Sequence, residues 1–310
     1  MEEILKDRTQ LMAVAIFGVI ACHLAQLYPI VPWIRFGSIG VEIFFFLSGM
    51  GMVFSYRRNS GIACFYGRRA LRILPSYYIA LLLAAAISGW HLINWTNILL
   101  LGTFRWFIGT ISLFYLLFPL YMACCKRVPP YVVYAAVCCL VAVCFLYLQP
   151  WIPMRWFARA PVFFLGCLCV QSERILSHRA AWVLVAVPSL ILFGLCHMQR
   201  GFYEGIGLLA MFRTLFTPGC CIVLVWLFAR CEQTAWGRLP MACMSAFGVL
   251  TLEIYLLDDI VREQVNLYLG TSCWPLQFVL IYPLAFAVNW LGRRIQGLFK
   301  RKAAQCPAAQ

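Results

Sequence analysis

Apolar residues fill this chain in long runs, and polar residues collect in short clusters between them. An α-helix of about 20 residues spans the roughly 30 Å hydrocarbon core of a bilayer. Ten runs approach that length, at about 10–28, 40–56, 73–89, 106–125, 131–149, 157–172, 181–197, 206–229, 243–260 and 274–292. A further apolar stretch from Leu92 to Phe104 is too short. It reads as a re-entrant or interfacial segment, or as a shift of the third and fourth spans. The pattern predicts an all-α, polytopic membrane helical bundle of about ten transmembrane helices. One integral membrane domain would cover 1–296, and a short, basic, disordered tail would cover 297–310.

Composition agrees. Of 310 residues, 64% are hydrophobic and 12% charged, against about half and a quarter in soluble domains. A soluble core cannot hide that much apolar surface, so lipid must be part of the solvent. The first run begins after Lys6 and Arg8 and continues without a small-residue cleavage pattern, so it is expected to stay as the first membrane helix.

The net charge of +14 falls in clusters between apolar runs, which is how topology signals look. With ten spans, both termini and every second loop share one side. That side holds 18 of the 25 Lys and Arg residues, leaving seven for the other: Arg35, Arg105, Arg155, Arg159, Arg200, Arg213 and Arg262. The positive-inside rule places the richer side, and both termini, in the cytoplasm. Tyr28, Trp33, Trp90, Trp95, Trp106, Tyr147, Trp151 and Trp156 gather at the expected outer ends, as in an interfacial belt. No basic stripe interleaved with aromatics suggests nucleic acid. The 16 cysteines lie mostly in apolar runs without zinc-ligand spacing, so no metal is expected and the thiols read as small hydrophobes.

Two stretches can carry chemistry. His23 lies 15 residues after Arg8, about 22 Å along a helix, which places it in the outer third of the first span. Glu42 opens the second span, which descends from the same surface. A carboxylate on one imidazole nitrogen would fix its tautomer and leave the other free to take a hydroxyl proton. The plainer alternative is an imidazole satisfied by a backbone carbonyl or interfacial water. The second stretch is the arginine-rich segment Tyr56 to Pro75, in which Arg69 and Arg72 share one helix face. Such a pair can clamp a phosphate, or it can serve orientation and lipid headgroups. In the ninth span, Glu253 needs a partner, for which Arg159 or Arg213 are candidates. Asp258 and Asp259 lie near the outer end of that span.

The segments GVEIFFFLSGMG (from Gly40) and FYGRRALRILPSYYI (from Phe65), preceded by a first-helix histidine, resemble the acyltransferase 3 family of integral-membrane O-acyltransferases. WFIGTISLFYLLFPLY, RAPVFFLG and FGVLTLEIYLLD resemble that family's later helices in the same order. The resemblance implies transfer of an acyl group, an acetyl group first of all, from cytoplasmic acyl-CoA (acetyl-CoA) to a hydroxyl of an extracytoplasmic glycan or lipid-linked sugar. A bacterial cytoplasmic membrane would be the setting. By resemblance His23 is the base and Glu42 its partner. Arg69 and Arg72, with Arg68 and Arg8, would serve the coenzyme A phosphates. Ser48 and Gly49 are a small pair permitting close helix approach or a pantetheine passage. Trp106, Arg159, Glu253 and Asp258 are candidates for the acceptor side.

Three positions depart from the family pattern. Met12 stands where a basic residue often lies, with Arg8 one turn earlier; Ile111 stands where a glutamate is common; and Asp258 stands where a histidine is common. They keep a non-catalytic homologue open beside the enzyme. A glycan or lipid transporter is the third reading, although no repeated halves are found.

Overall fold

The computed structural model describes residues 2–27, 37–58, 61–102, 104–147, 157–172, 174–198, 208–234, 237–270 and 274–305. The belt residues Tyr28, Trp33, Trp151 and Trp156, and the outer basic residues Arg35, Arg155 and Arg200, lie outside the described residues. The described residues are helical and contain no strand.

The helices are, in chain order, α1 (Glu2–Lys6), α2 (Arg8–Leu27), α3 (Ile39–Arg58), α4 (Ile62–Ser88), α5 (Trp95–Ile98), α6 (Trp106–Cys125), α7 (Pro130–Tyr147) and α8 (Ala160–Gln171). They continue with α9 (Arg174–Ser177), α10 (Arg179–Met198), α11 (Leu208–Glu232), α12 (Arg238–Val249), α13 (Thr251–Leu269) and α14 (Trp274–Gln305). Every expected span therefore has a helix within it. Six of them are long and apolar enough to cross a membrane, or seven if α12 and α13, which break at Leu250, count as one. Arg8–Leu24, Ala160–Gln171 and Arg179–Leu195 are apolar but shorter. By length and composition, then, the described helices support fewer spans than ten.

Helix α8 shows why length and membrane passage separate. Its 12 residues rise only about 18 Å. Yet every residue from Ala160 to Val170 is buried in protein, so it meets neighbouring helices rather than lipid. The final helix also departs from expectation. Chain beyond Gly297, expected to be disordered, stays helical as far as Gln305.

The chain forms two compact units, each built from separated segments. Unit 1 comprises Met1–Ser60 and Thr110–Gly248, and unit 2 comprises Gly61–Gly109 and Val249–Gln310. Helix α6 contributes to both.

In unit 1, α3 packs along α8, α2 along α3, α7 along α8, and α10 along α11. Lipid tails are as apolar as leucine, so burial alone does not draw membrane helices together. Small residues that let backbones approach do. A Cβ on Gly49 of α3 would lie 2.0 Å from the Phe163 carbonyl oxygen, and one on Gly166 of α8 would lie 2.2 Å from that of Phe46. The two glycines thus form a reciprocal crossing, over which the Cys167 thiol donates to the Gly49 carbonyl at 3.4 Å. Rings close the sides: Phe114 stacks on Phe45 at 5.6 Å and on Phe163 at 5.2 Å. Of the two uses expected for the small pair at Ser48 and Gly49, close approach is what this crossing shows. Backbone of α8 fills the space a Gly49 side chain would take. Between α2 and α3 the same device recurs, a Cβ on Gly40 falling 2.0 Å from the Ala15 oxygen.

In unit 2, α13 packs on α14, and both pack on α4. The short stretch after α4 does not cross anything. A 3₁₀ turn (Trp90–Leu92) leads into the four-residue α5. Asn94 caps α5 by accepting from the Asn97 backbone N–H at 2.9 Å. The Tyr77 and Tyr78 hydroxyls of α4 donate to the carbonyls of Asn97 and Ile98 at 2.8 and 2.9 Å. The turn is thereby pinned to α4. Broad apolar faces remain uncovered, for example Leu140, Leu146, Leu184, Ile191 and Leu120. They are the faces lipid would cover. Every cysteine whose side chain is described is a free thiol.

The glycine crossing gives a direct test. Gly49→Leu and Gly166→Leu each drive a side chain into backbone, so each is expected to lower stability by more than the ~1–3 kcal/mol typical of overpacking. Gly67→Ala, where an added Cβ meets nothing within 4 Å, is expected to gain about 0.5–1 kcal/mol. Thermal unfolding midpoints of the detergent-solubilised protein read both. Equal midpoints for Gly49→Leu and the parent would show that the two helices do not touch there.

Candidate functional site

Sequence places Glu42 in the first turn of α3, pointing into a wall of apolar helices. It is 1% exposed, and an ionised carboxylate so placed needs cations. Two reach it. Arg159, at the start of α8, brings its Nε to 3.0 Å of Oε1, and Arg213 of α11 brings its Nε to 3.3 Å of the same oxygen. Arg213 also lies over the Phe193 ring, 5.2 Å from its centroid. Neither oxygen of Glu42 is in hydrogen-bond alignment with any described group. The contacts are ion pairs through charge and proximity.

This corrects one expectation. Glu42 does not hydrogen-bond His23; its carboxylate is turned to the arginines, because two guanidiniums stabilise a buried anion strongly. His23 itself is half-buried near the far end of α2 from Arg8. Arg213 lies within electrostatic range of Cys22, the residue before it. Arg8, at the other end of α2, extends its guanidinium toward α3, where Nη2 comes within 3.6 Å of the point a Gly51 Cβ would occupy. Ser48 is buried on α3.

The remaining candidates belong to unit 2. Glu253 is buried on α13. It accepts from the Ser76 hydroxyl at 2.8 Å and from the Asn289 amide at 3.0 Å. A short neutral donor on α4 and another on α14 suffice where the three helices meet. Asp258 is wholly buried and accepts from the Gln277 amide. Asp259 is held by Arg105 at 2.6 Å and by Arg262 one turn away on α13. Arg105 in addition donates from Nε and Nη2 to the Leu256 carbonyl, at 3.1 and 2.8 Å. Trp106 is half-buried, its ring edge-on to Phe107. Arg68, Arg69 and Arg72 stand on the first turns of α4, Arg72 exposed and the other two half-exposed. Arg69 lies over the Phe65 ring, and Arg68 donates to the Cys64 sulfur at 3.3 Å.

A family model described as an acyltransferase domain, that of the acyltransferase 3 family, matches residues 11–294. The chain belongs to this family. It is an acyltransferase, acting with groups other than aminoacyl, and a multi-pass membrane protein. Comparison with curated proteins gave no match, and neither did comparison with solved structures.

Chemically, the acyltransferase holds its buried acids in two ways. Glu42 faces full positive charges, one carboxylate to two guanidiniums. Glu253 and Asp258 face neutral donors. Reading from sequence missed Ser76, Asn289 and Gln277, although polar side chains inside apolar runs are themselves the signal. It placed Arg105 only as an outer basic residue, where it instead ties the loop before α6 to α13.

Glu42→Gln leaves two guanidiniums buried against each other. It is expected to cost about 3–5 kcal/mol, the usual penalty for breaking a buried pair from one side. Arg213→Met is expected to cost less, since Arg159 remains. Denaturation midpoints in detergent measure both, and a Glu42→Gln midpoint equal to the parent's would show that the carboxylate is not the partner of either arginine.

Proposed function

We propose that this acyltransferase moves an acyl group, acetyl first of all, from cytoplasmic acyl-CoA to a hydroxyl of an extracytoplasmic glycan or lipid-linked sugar, with His23 as general base. The cell membrane is its place, and the edge bearing Lys6, Arg8, Arg57 and Arg58 faces the cytoplasm. The family match over 11–294 carries the reading.

The chemistry needs a base that meets the acceptor and a cationic hold on the donor. His23 is the half-buried imidazole of α2, 15 residues from Arg8. As the acceptor oxygen attacks the thioester carbonyl, the imidazole takes its proton. The carbon–sulfur bond breaks, an ester forms, and coenzyme A leaves as its thiol after a proton returns to sulfur. Arg69 and Arg72, with Arg68, hold the donor's phosphates; bidentate guanidinium contacts suit that task. The net positive charge left by Glu42, Arg159 and Arg213 favours the oxyanion that forms on the carbonyl oxygen when the acceptor attacks. Glu42 then acts through the arginines it orders. Trp106, Arg159, Glu253 and Asp258 stay candidates for the acceptor side.

Membranes carrying the protein are incubated with labelled acetyl-CoA, and label on glycan is counted. His23→Ala is expected to lose at least about 10²-fold in transfer, the scale of a general base, with its unfolding midpoint unchanged. Arg69→Ala and Arg72→Ala are expected to raise the KM for acetyl-CoA more than they lower kcat. Label transfer by His23→Ala equal to the parent's would refute the assignment. Efflux of glycan without label would favour a transporter, and a folded parent without label would favour a homologue that has lost turnover.

A further inference from the structure

A cavity of about 760 Å³ opens in unit 1 beside α1, where α10 begins and α11 ends. Its polar wall holds three acids, Glu3, Asp7 and Glu232, and two bases, Lys6 and Arg179. Two pairs form among them. Arg179 binds Glu3 at 2.8 Å, and Lys6 stands 3.9 Å from Glu232. Asp7 is left over. It is 5% exposed, and its carboxylate accepts no hydrogen bond from a described residue. Burial raises its pKa, and Glu232 and Glu3 add to that while Lys6 opposes it. Among the described lining residues the acids outnumber the bases by one, and Asp7 is the acid without a described donor.

The opposite wall is apolar, formed by Ile4, Leu176, Ile222 and Val225. An inorganic divalent cation would want six or more converging oxygens, which such a wall does not supply. A second, almost wholly apolar groove of about 420 Å³ adjoins the first, the two sharing Val183 and Val223 as lining. It runs between α10 and α11 toward Gly18, Gly37 and Gly40. Val187 and Val223 on its sides are 55% and 38% exposed, so it is open on the face lipid would cover.

We propose that this paired cavity and groove bind a phospholipid whose headgroup ends in a primary ammonium. The ammonium donates to Asp7, the phosphate lies by the exposed Arg179 and Lys6 at the rim, and one acyl chain follows the groove. A quaternary ammonium has no N–H for Asp7. The aromatic face that would hold it instead is taken, since Arg230 lies 5.3 Å over the Trp226 ring. An anionic headgroup without an amine leaves Asp7 unanswered. The site is separate from the acyl-transfer chemistry and does not depend on it.

Native mass spectrometry of the purified full chain in detergent tests this, with phosphatidylethanolamine, phosphatidylcholine and phosphatidylglycerol of identical chains added at equal concentration. Phosphatidylethanolamine is expected to be retained about tenfold over each of the others, the factor one charged hydrogen bond supplies. Asp7→Asn is expected to bring the ratios close to one, and Val223→Trp to lower retention of all three while keeping their order. Equal retention by the parent, or preference for phosphatidylglycerol, would overturn the proposal. So would a preference that survives in Asp7→Asn. Should Asp7→Asn fail to fold, the parent's three ratios and those of Val223→Trp decide alone.

Discussion

A carboxylate sealed among apolar helices stays charged only where cations reach it, and Glu42 has two. Moving a bare carboxylate from water into such a place costs several kcal/mol even after relaxation. The compensation fixes more than one side chain. Arg159 opens α8 and Arg213 lies early in α11, so the single anion on α3 sets how three helices of unit 1 meet. Unit 2 answers the same demand with neutral donors, Ser76 and Asn289 for Glu253 and Gln277 for Asp258. Asp259, nearer the surface, takes two arginines.

The glycine crossing supplies what electrostatics does not. With little apolar free energy to gain between helices in lipid, contact distance decides. Gly49 and Gly166 each admit the other helix's backbone to a distance no side chain allows. This is how α8, too short to span by itself, can be enclosed along its whole length. It is also why Gly49 serves packing.

Much of the fold was legible. Each apolar run became helical, the ninth as two helices broken at Leu250, because hydropathy over some twenty residues is a strong signal, and the resemblance carried by Gly40–Gly51 and Phe65–Ile79 matched the family found over 11–294. Span number was less legible, because run length does not distinguish a helix in lipid from one wrapped in protein, as α8 shows. Pairing was least legible. Glu42 could be seen to need a partner, yet His23 was nearer in the chain than Arg159 or Arg213, and charge complementarity outweighed chain proximity. Neutral donors such as Asn289 and Gln277 carry no charge to draw the eye.

Glu42 of α3 is committed to arginines, and the proposed base role falls to His23, half-buried on α2. Chemical rescue reads its role most directly. His23→Gly is purified, and acetyl transfer is followed with and without added imidazole. The base role predicts that transfer is lost in His23→Gly and returns in proportion to imidazole, while the parent does not respond. Full transfer by His23→Gly without imidazole would contradict it.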